Sequence, residues 1–213
     1  MAQRLDPNGW HVFHAGGAIV HSNTSEARGG AVPPAAVLAA AAVAEEHGWT
    51  LEYYTADAYA VSESSERAID HAALMGVPFE SRTRDQLDGD IVRLQFVVPE
   101  EDSPAVLSHG EALGLTGTSA TSPIMPGTAF VSFTVAGVTK ATGIELIANE
   151  LGLGLGDVMM VGDGHNDLPA LAAVGHPVAM GNAVVEAKKL ATHIVADVEL
   201  DGVVEALEVS STS

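Results

Sequence analysis

Asp163 and Asp167 are separated by three residues in the loop Gly162-Asp163-Gly164-His165-Asn166-Asp167, directly after the apolar run Val158-Met159-Met160-Val161. At this spacing in a glycine-bearing loop, both carboxylates can turn toward one point beyond the end of a strand. That arrangement suits a hard cation, since Mg²⁺ takes one or two protein carboxylates and completes its octahedron with water and substrate phosphate. The plainer alternative is that Asp163 ends the strand in a turn and Asp167 caps the helix that follows. Lys140 adds a second chemical element. It stands at the predicted start of a helix, where the macrodipole disfavours cations and favours anions. Helix amides and an ammonium together would hold a phosphoryl group; a solvated Lys with its charge carried away on a long stem is the alternative.

The surrounding pattern shows what must position these residues. The segment Trp10 to Val20 reads as a strand with a tight bend at Gly16-Gly17. Pro33-Pro34 opens, and Gly48 closes, a helix from Ala35 to His47, in keeping with Pro in the first turn and Gly past the last. Leu51, Tyr53 and Thr55 alternate with Glu52 and Tyr54 as a strand does, and a helix from Ser64 to Met75 ends at Gly76. Ile91 to Val98 is a strand that stops at Pro99, whereas Glu100 to Gly127 suggests a short helix and turns. After a strand at Phe130 to Val135, helix and strand patterns alternate: a helix with Ile144, Ile147 and Leu151 on one face, the strand 158–161, a helix from about Asp167, and the strand Pro177 to Met180 ending at Gly181-Asn182. Alternation of that kind predicts an α/β fold with a parallel sheet, whose ligand sites lie at the carboxyl ends of the strands.

Taken together, Gly137-Val138-Thr139-Lys140, Val161 to Asp167, and Val178-Ala179-Met180-Gly181-Asn182-Ala183 resemble the haloacid dehalogenase (HAD) superfamily, and most closely its Cof-type phosphatases. The detailed resemblance runs from about Phe130 to Leu207, including Asp201-Gly202-Val203. It implies a partial HAD-like (Rossmann-like) parallel core with an inserted α/β cap: residues 1–21 as a lead-in strand of the core, 22–128 as the cap, and 129–213 as the core. By this resemblance Lys140 steadies the transferring phosphoryl group, Asp163 ligates Mg²⁺, and Asp167 orients Lys140 or supports the metal. Asn166 fixes the loop or contacts substrate, His165 is an exposed loop residue, and Asn182 is a turn residue.

Members of this family begin with an apolar strand ending in Asp-x-Asp-Gly, which supplies the nucleophile and the acid/base. The nearest string here is Asp6-Pro7-Asn8-Gly9, preceded by Met1-Ala2-Gln3-Arg4-Leu5, with Asn8 at the acid/base position. Asn does not exchange that proton under ordinary conditions, so Asp6 reads as a loop residue. His14-Ala15-Gly16-Gly17-Ala18 already resembles the Asn-Gly-Ala step found beyond the early motifs, with Gly16 in place of Asn. The expectation is a chain that starts after those motifs and is inactive or nearly so alone. It would leave the strand 158–161 as a sheet edge open to a second copy or a separately encoded N-terminal segment. Two alternatives stand beside this one: a degenerate relative that binds a phospho-ligand or partner without catalysis, and a phosphorylation domain like that of P-type pumps, suggested by Gly162 to Asp167 followed by Leu168-Pro169-Ala170-Leu171.

Composition narrows the partners. A formal charge of −19, from 28 acidic and 9 basic residues, repels a phosphate backbone and argues against nucleic acid. The longest apolar run, Ala35 to Ala44, falls short of the roughly 20 residues a membrane helix needs. With no Cys in the chain, thiolate and disulfide chemistry are excluded. No secretory signal is evident at Met1 to Asn8, so a cytoplasmic location is expected. The expected ligand is a small phosphorylated metabolite.

Overall fold

The computed structural model describes residues 6, 8–24, 27–61 and 64–210; Met1 to Leu5 and Pro7 of the lead-in segment lie outside these. The chain forms two compact units, 1–138 and 139–213. Among the described residues, no helix is long and apolar enough to cross a membrane.

In the first unit, β1 (Trp10–Phe13) and β2 (Ala18–His21) pair antiparallel, and β2 pairs with β3 (Ala27–Arg28). The reversal is tighter than a bend in one strand, because His14 and Ala15 both adopt left-handed backbone, with φ of 52° and 57°. Residues 10–21 therefore make a hairpin within this unit. A larger antiparallel sheet has the order β5-β4-β6-β8-β7, built from β4 (Thr50–Tyr54), β5 (Tyr59–Val61), β6 (Arg93–Pro99), β7 (Thr116–Ser122) and β8 (Met125–Thr134). β8 crosses the 128/129 division drawn from the sequence, since it pairs with β6 from Thr128 to Phe133 and with β7. β7 stands where the sequence suggests turns. Its sequence Thr-Gly-Thr-Ser-Ala-Thr-Ser carries no apolar alternation, and pairing with β8 is what makes it a strand.

One face of this sheet buries Leu51, Tyr53, Leu94, Phe96, Val131 and Phe133 in a single apolar cluster. Residues of α1 (Pro34–His47) and α3 (Ser103–Ala112) belong to the same cluster, through Ala36, Val37, Ala40 and Val106. Gly110 of α3 is required here, because a Cβ would lie 2.0 Å from the Phe133 ring. The opposite face carries Glu52, which is fully buried. Its carboxylate accepts hydrogen bonds from Tyr54 Oη (2.6 Å), His71 Nδ1 of α2 (Glu66–Leu74; 2.7 Å) and Gln95 Nε2 (2.9 Å). A carboxylate so deep in the protein persists because its oxygens are satisfied in this way.

The second unit alternates helix and strand: α4 (Lys140–Glu150), β9 (Met159–Gly162), α5 (Leu168–Ala173), β10 (His176–Ala179), α6 (Val185–Leu190), β11 (His193–Ile194) and α7 (Gly202–Ser210). Its three strands are parallel in the order β11-β10-β9, as the alternation predicts. Leu171, Val178, Ala179, Met180, Ala187 and Ala206 form its core. α4 turns the expected face inward. It buries Gly143 and Ala148 beside half-buried Ile144 and Ile147, while Leu151, just past its last turn, is 59% exposed. Among the described residues, β9 is paired on one side only.

Candidate active site

The site of the second unit lies at the carboxyl end of β9. Gly162 ends the strand, and the chain turns through a short 3₁₀ segment, His165–Asp167, into α5. Asp167 is 5% exposed. Its Oδ2 accepts the backbone N–H groups of Asp163 (3.0 Å) and Gly164 (3.2 Å). The carboxylate thus closes its own loop from within, rather than capping α5.

The other oxygen, Oδ1, accepts Nζ of Lys140 at 2.5 Å, across 27 residues of sequence. Lys140 occupies the first position of α4, behind a Thr139 cap whose hydroxyl accepts the Thr142 N–H while Thr142 Oγ1 accepts the Thr139 N–H. The cation that the helix dipole disfavours is therefore compensated by a buried anion. Burial raises the Asp167 pKa, but the hydrogen bond and charge of Lys140, with the two amides, outweigh it and hold the carboxyl below its ordinary value. Asp167 stays ionised, and with 31% of its side chain exposed, Lys140 keeps two further N–H donors for an incoming anion.

Asp163 contrasts with Asp167. Its residue is exposed, its backbone carbonyl accepts the N–H of Val184 (2.9 Å), and its carboxylate makes no hydrogen bond among the described residues. Half-buried Asn166 sits over Gly164, where a Cβ would lie 2.9 Å from Asn166 Oδ1. His165 is exposed, 3.8 Å from Glu186, a solvated pair worth little. Asn182 Oδ1 accepts the Val198 N–H (3.2 Å), so it braces a turn. The structure brings Lys140, Asp163, Asn166 and Asp167 to one loop. Val184, which holds the Asp163 carbonyl, was not singled out from the sequence, since an apolar side chain carries no trace of a backbone donor. Asp6 lies in a turn, its Oδ1 accepting the Asn8 N–H (3.0 Å).

Among the described residues, no group of three or more His, Asp or Glu side chains could cage a metal ion. Both Asp167 oxygens are engaged, which leaves Asp163 as the available carboxylate. That fits one protein-facing corner of a Mg²⁺ site, an ion that keeps much of its shell as water and substrate oxygen. It does not fit an all-protein cage.

The second unit is a parallel α/β sheet with a Lys–Asp couple and, among the described residues, an unbonded carboxylate at a strand's carboxyl end. The profile of haloacid dehalogenase-like hydrolases matches residues 5–207, and the chain belongs to that family. The chain is 42% identical over 72 residues to the putative phosphatase YkrA of Bacillus subtilis, covering 34% of this chain and 28% of YkrA. Its match to YhaX, a stress response protein of the same organism, is 43% over 67 residues, or 32% of this chain and 23% of that protein. These matched segments thus span about a quarter of either relative. Among solved structures, BT1666 from Bacteroides thetaiotaomicron, described among phosphatases of the superfamily, superposes with a TM-score of 0.74 at 25% identity, covering 92% of this chain and 72% of that one.

Proposed function

We propose that this chain carries the metal- and phosphate-handling part of a Mg²⁺-dependent phosphomonoesterase acting on small phosphorylated metabolites. The observation that carries the proposal is the Lys140–Asp167 couple beside the uncommitted Asp163 carboxylate. In this reading Lys140 donates to the phosphoryl oxygens, Asp167 holds Lys140 in place, and Asn166 contacts substrate. Asp163 ligates Mg²⁺; a bound Mg²⁺ would supply charge neutralisation at the phosphoryl group. The names of YkrA and BT1666 support the reaction class.

In the same reading the nucleophilic carboxylate comes from a segment that pairs with the free side of β9. A paired β9 would satisfy an otherwise open edge. The polypeptide alone is then expected to turn over para-nitrophenyl phosphate feebly or not at all, with and without Mg²⁺. Mg²⁺ should nevertheless raise its thermal midpoint, and Asp163→Ala should remove that rise. Mg²⁺-independent turnover, or no Mg²⁺ effect on the unsubstituted chain, would overturn the proposal. A second reading, a phospho-ligand or partner-binding protein without catalysis, is favoured by Asn8 where an acid/base carboxylate is needed. Turnover that depends on Mg²⁺ and is lost in Asp163→Ala decides against it.

A further inference from the structure

The first unit holds a pocket that the phosphoryl chemistry leaves unexplained. It has a volume of about 250 Å³, and four of its walls are rings: Phe13, His14, Tyr54 and Tyr59. Tyr54 and Tyr59 are stacked with centroids 5.8 Å apart, and the His14 ring lies 5.3 Å from that of Tyr54. The walls are held from behind. Tyr54 donates its hydroxyl to buried Glu52, and the Arg93 guanidinium lies 4.0 Å from the centroid of its ring.

Several features mark the pocket as more than incidental packing. His14 and Ala15 take left-handed backbone without being glycine, a strain that the hairpin maintains at the pocket rim. Among the described residues, the Tyr59 hydroxyl is buried without a hydrogen-bond partner, an unmet polar group that costs stability. Asp57 also lines the pocket, and among the described residues only its Oδ1 is engaged, by the Thr55 hydroxyl at 3.1 Å.

We propose that this pocket binds a neutral planar heteroaromatic ring bearing an N–H donor, as in a pyrimidine base. Aromatic walls offer stacking to any π-face, and Asp57 Oδ2 is an acceptor for a ring N–H. The volume lies below the ~300 Å³ at which pockets enclose drug-sized molecules, so it holds a single ring rather than a whole extended ligand. A sugar would require polar partners along most of its edge, where the pocket sets Asp57, the Tyr59 hydroxyl and His14 among ring walls. A quaternary ammonium would also suit a ring cage, but Arg93 already sets a positive charge against Tyr54. The same charge, after burial, keeps His14 neutral, and it repels a second cation.

The proposal concerns binding by the first unit and does not depend on phosphoryl transfer, so a failure to bind and a failure to turn over are read separately. Uracil and tetramethylammonium would each be titrated into the full chain and followed by ligand-observed NMR, with Tyr59→Leu and Asp57→Ala variants shown to keep the wild-type thermal midpoint. Saturable uracil binding, weakened about tenfold or more in each variant, with tetramethylammonium bound more weakly, is the expected result. No saturable uracil binding, uracil binding indifferent to both substitutions, or tighter binding of tetramethylammonium would overturn it.

Discussion

A Cβ placed on Gly162 would lie 2.7 Å from the Cβ of Asp167. The last residue of β9 has no side chain because the carboxylate that holds Lys140 packs directly over it. The glycine here is a matter of close approach and not of turn conformation, since Gly162 is outside the left-handed backbone region. Gly162→Ala must therefore push Asp167 outward or bend the strand end. It should destabilise the second unit by about 1–3 kcal/mol, measured by urea unfolding. A neutral result would mean that Asp167 shifts freely and that the Lys140 couple is not tightly held.

Asp163 and Asp167 should separate under substitution. Asp163 is exposed and its carboxylate unbonded, so Asp163→Asn should change stability by no more than about 0.5 kcal/mol while removing the thermal shift caused by Mg²⁺. Asp167→Asn weakens the bond to Lys140 inside a buried loop and should cost about 1–3 kcal/mol. The thermal midpoint of each variant, with and without Mg²⁺, checks both. Equal stability losses would show that the two carboxylates are not specialised as the geometry requires.

Much of the site was legible in the sequence, because its parts are local. Asp163, Asn166 and Asp167 share one loop, and Lys140 was conspicuous as a cation at a helix start, a position that calls for an anion. What the sequence could not show was the division of labour between the two aspartates. That division rests on where Asp167's oxygens point: one accepts two amides and the other a Lys 27 residues away. The parallel alternation after Thr139 was readable for the same local reason. β7 was not, because a Ser/Thr-rich strand is defined by its partner. Glu52 read as the polar member of an alternating strand and turned out fully buried, since the residues that satisfy it, His71 and Gln95, lie 19 and 43 positions away.

That burial has a consequence for stability. Glu52→Ala would leave the Tyr54 hydroxyl, the His71 N–H and the Gln95 amide without their acceptor, and should destabilise the first unit by about 3–5 kcal/mol. Glu52→Gln keeps the shape and one acceptor and should cost less. Burial, and after it the Glu52 charge, pushes the Tyr54 phenol above its ordinary range, so the phenol stays protonated and cannot act as a base in its place. Chemical denaturation of both variants tests the ordering; a costlier Glu52→Gln would mean that charge, not hydrogen bonding, dominates the cluster.

His14 sets a distinct acid limit on the first unit. Burial, followed by the Arg93 charge, lowers its pKa from 6.5 to about 4. The unfolded chain therefore takes up this proton first as pH falls. Stability from this residue is fully present above pH 6.5 and drains away between 6.5 and about 4, amounting to about 1–2 kcal/mol by pH 5. Asp167 adds nothing between pH 7.5 and 5, since its carboxyl is held below its ordinary 3.8 and its contribution is lost only as pH falls below about 5. Asn tolerates left-handed backbone and does not titrate, so His14→Asn should keep the hairpin and flatten the pH dependence between pH 7.5 and 5. Urea unfolding at both values measures it. An unchanged slope in the variant would assign the acid sensitivity of this unit to other groups and remove His14 from its control.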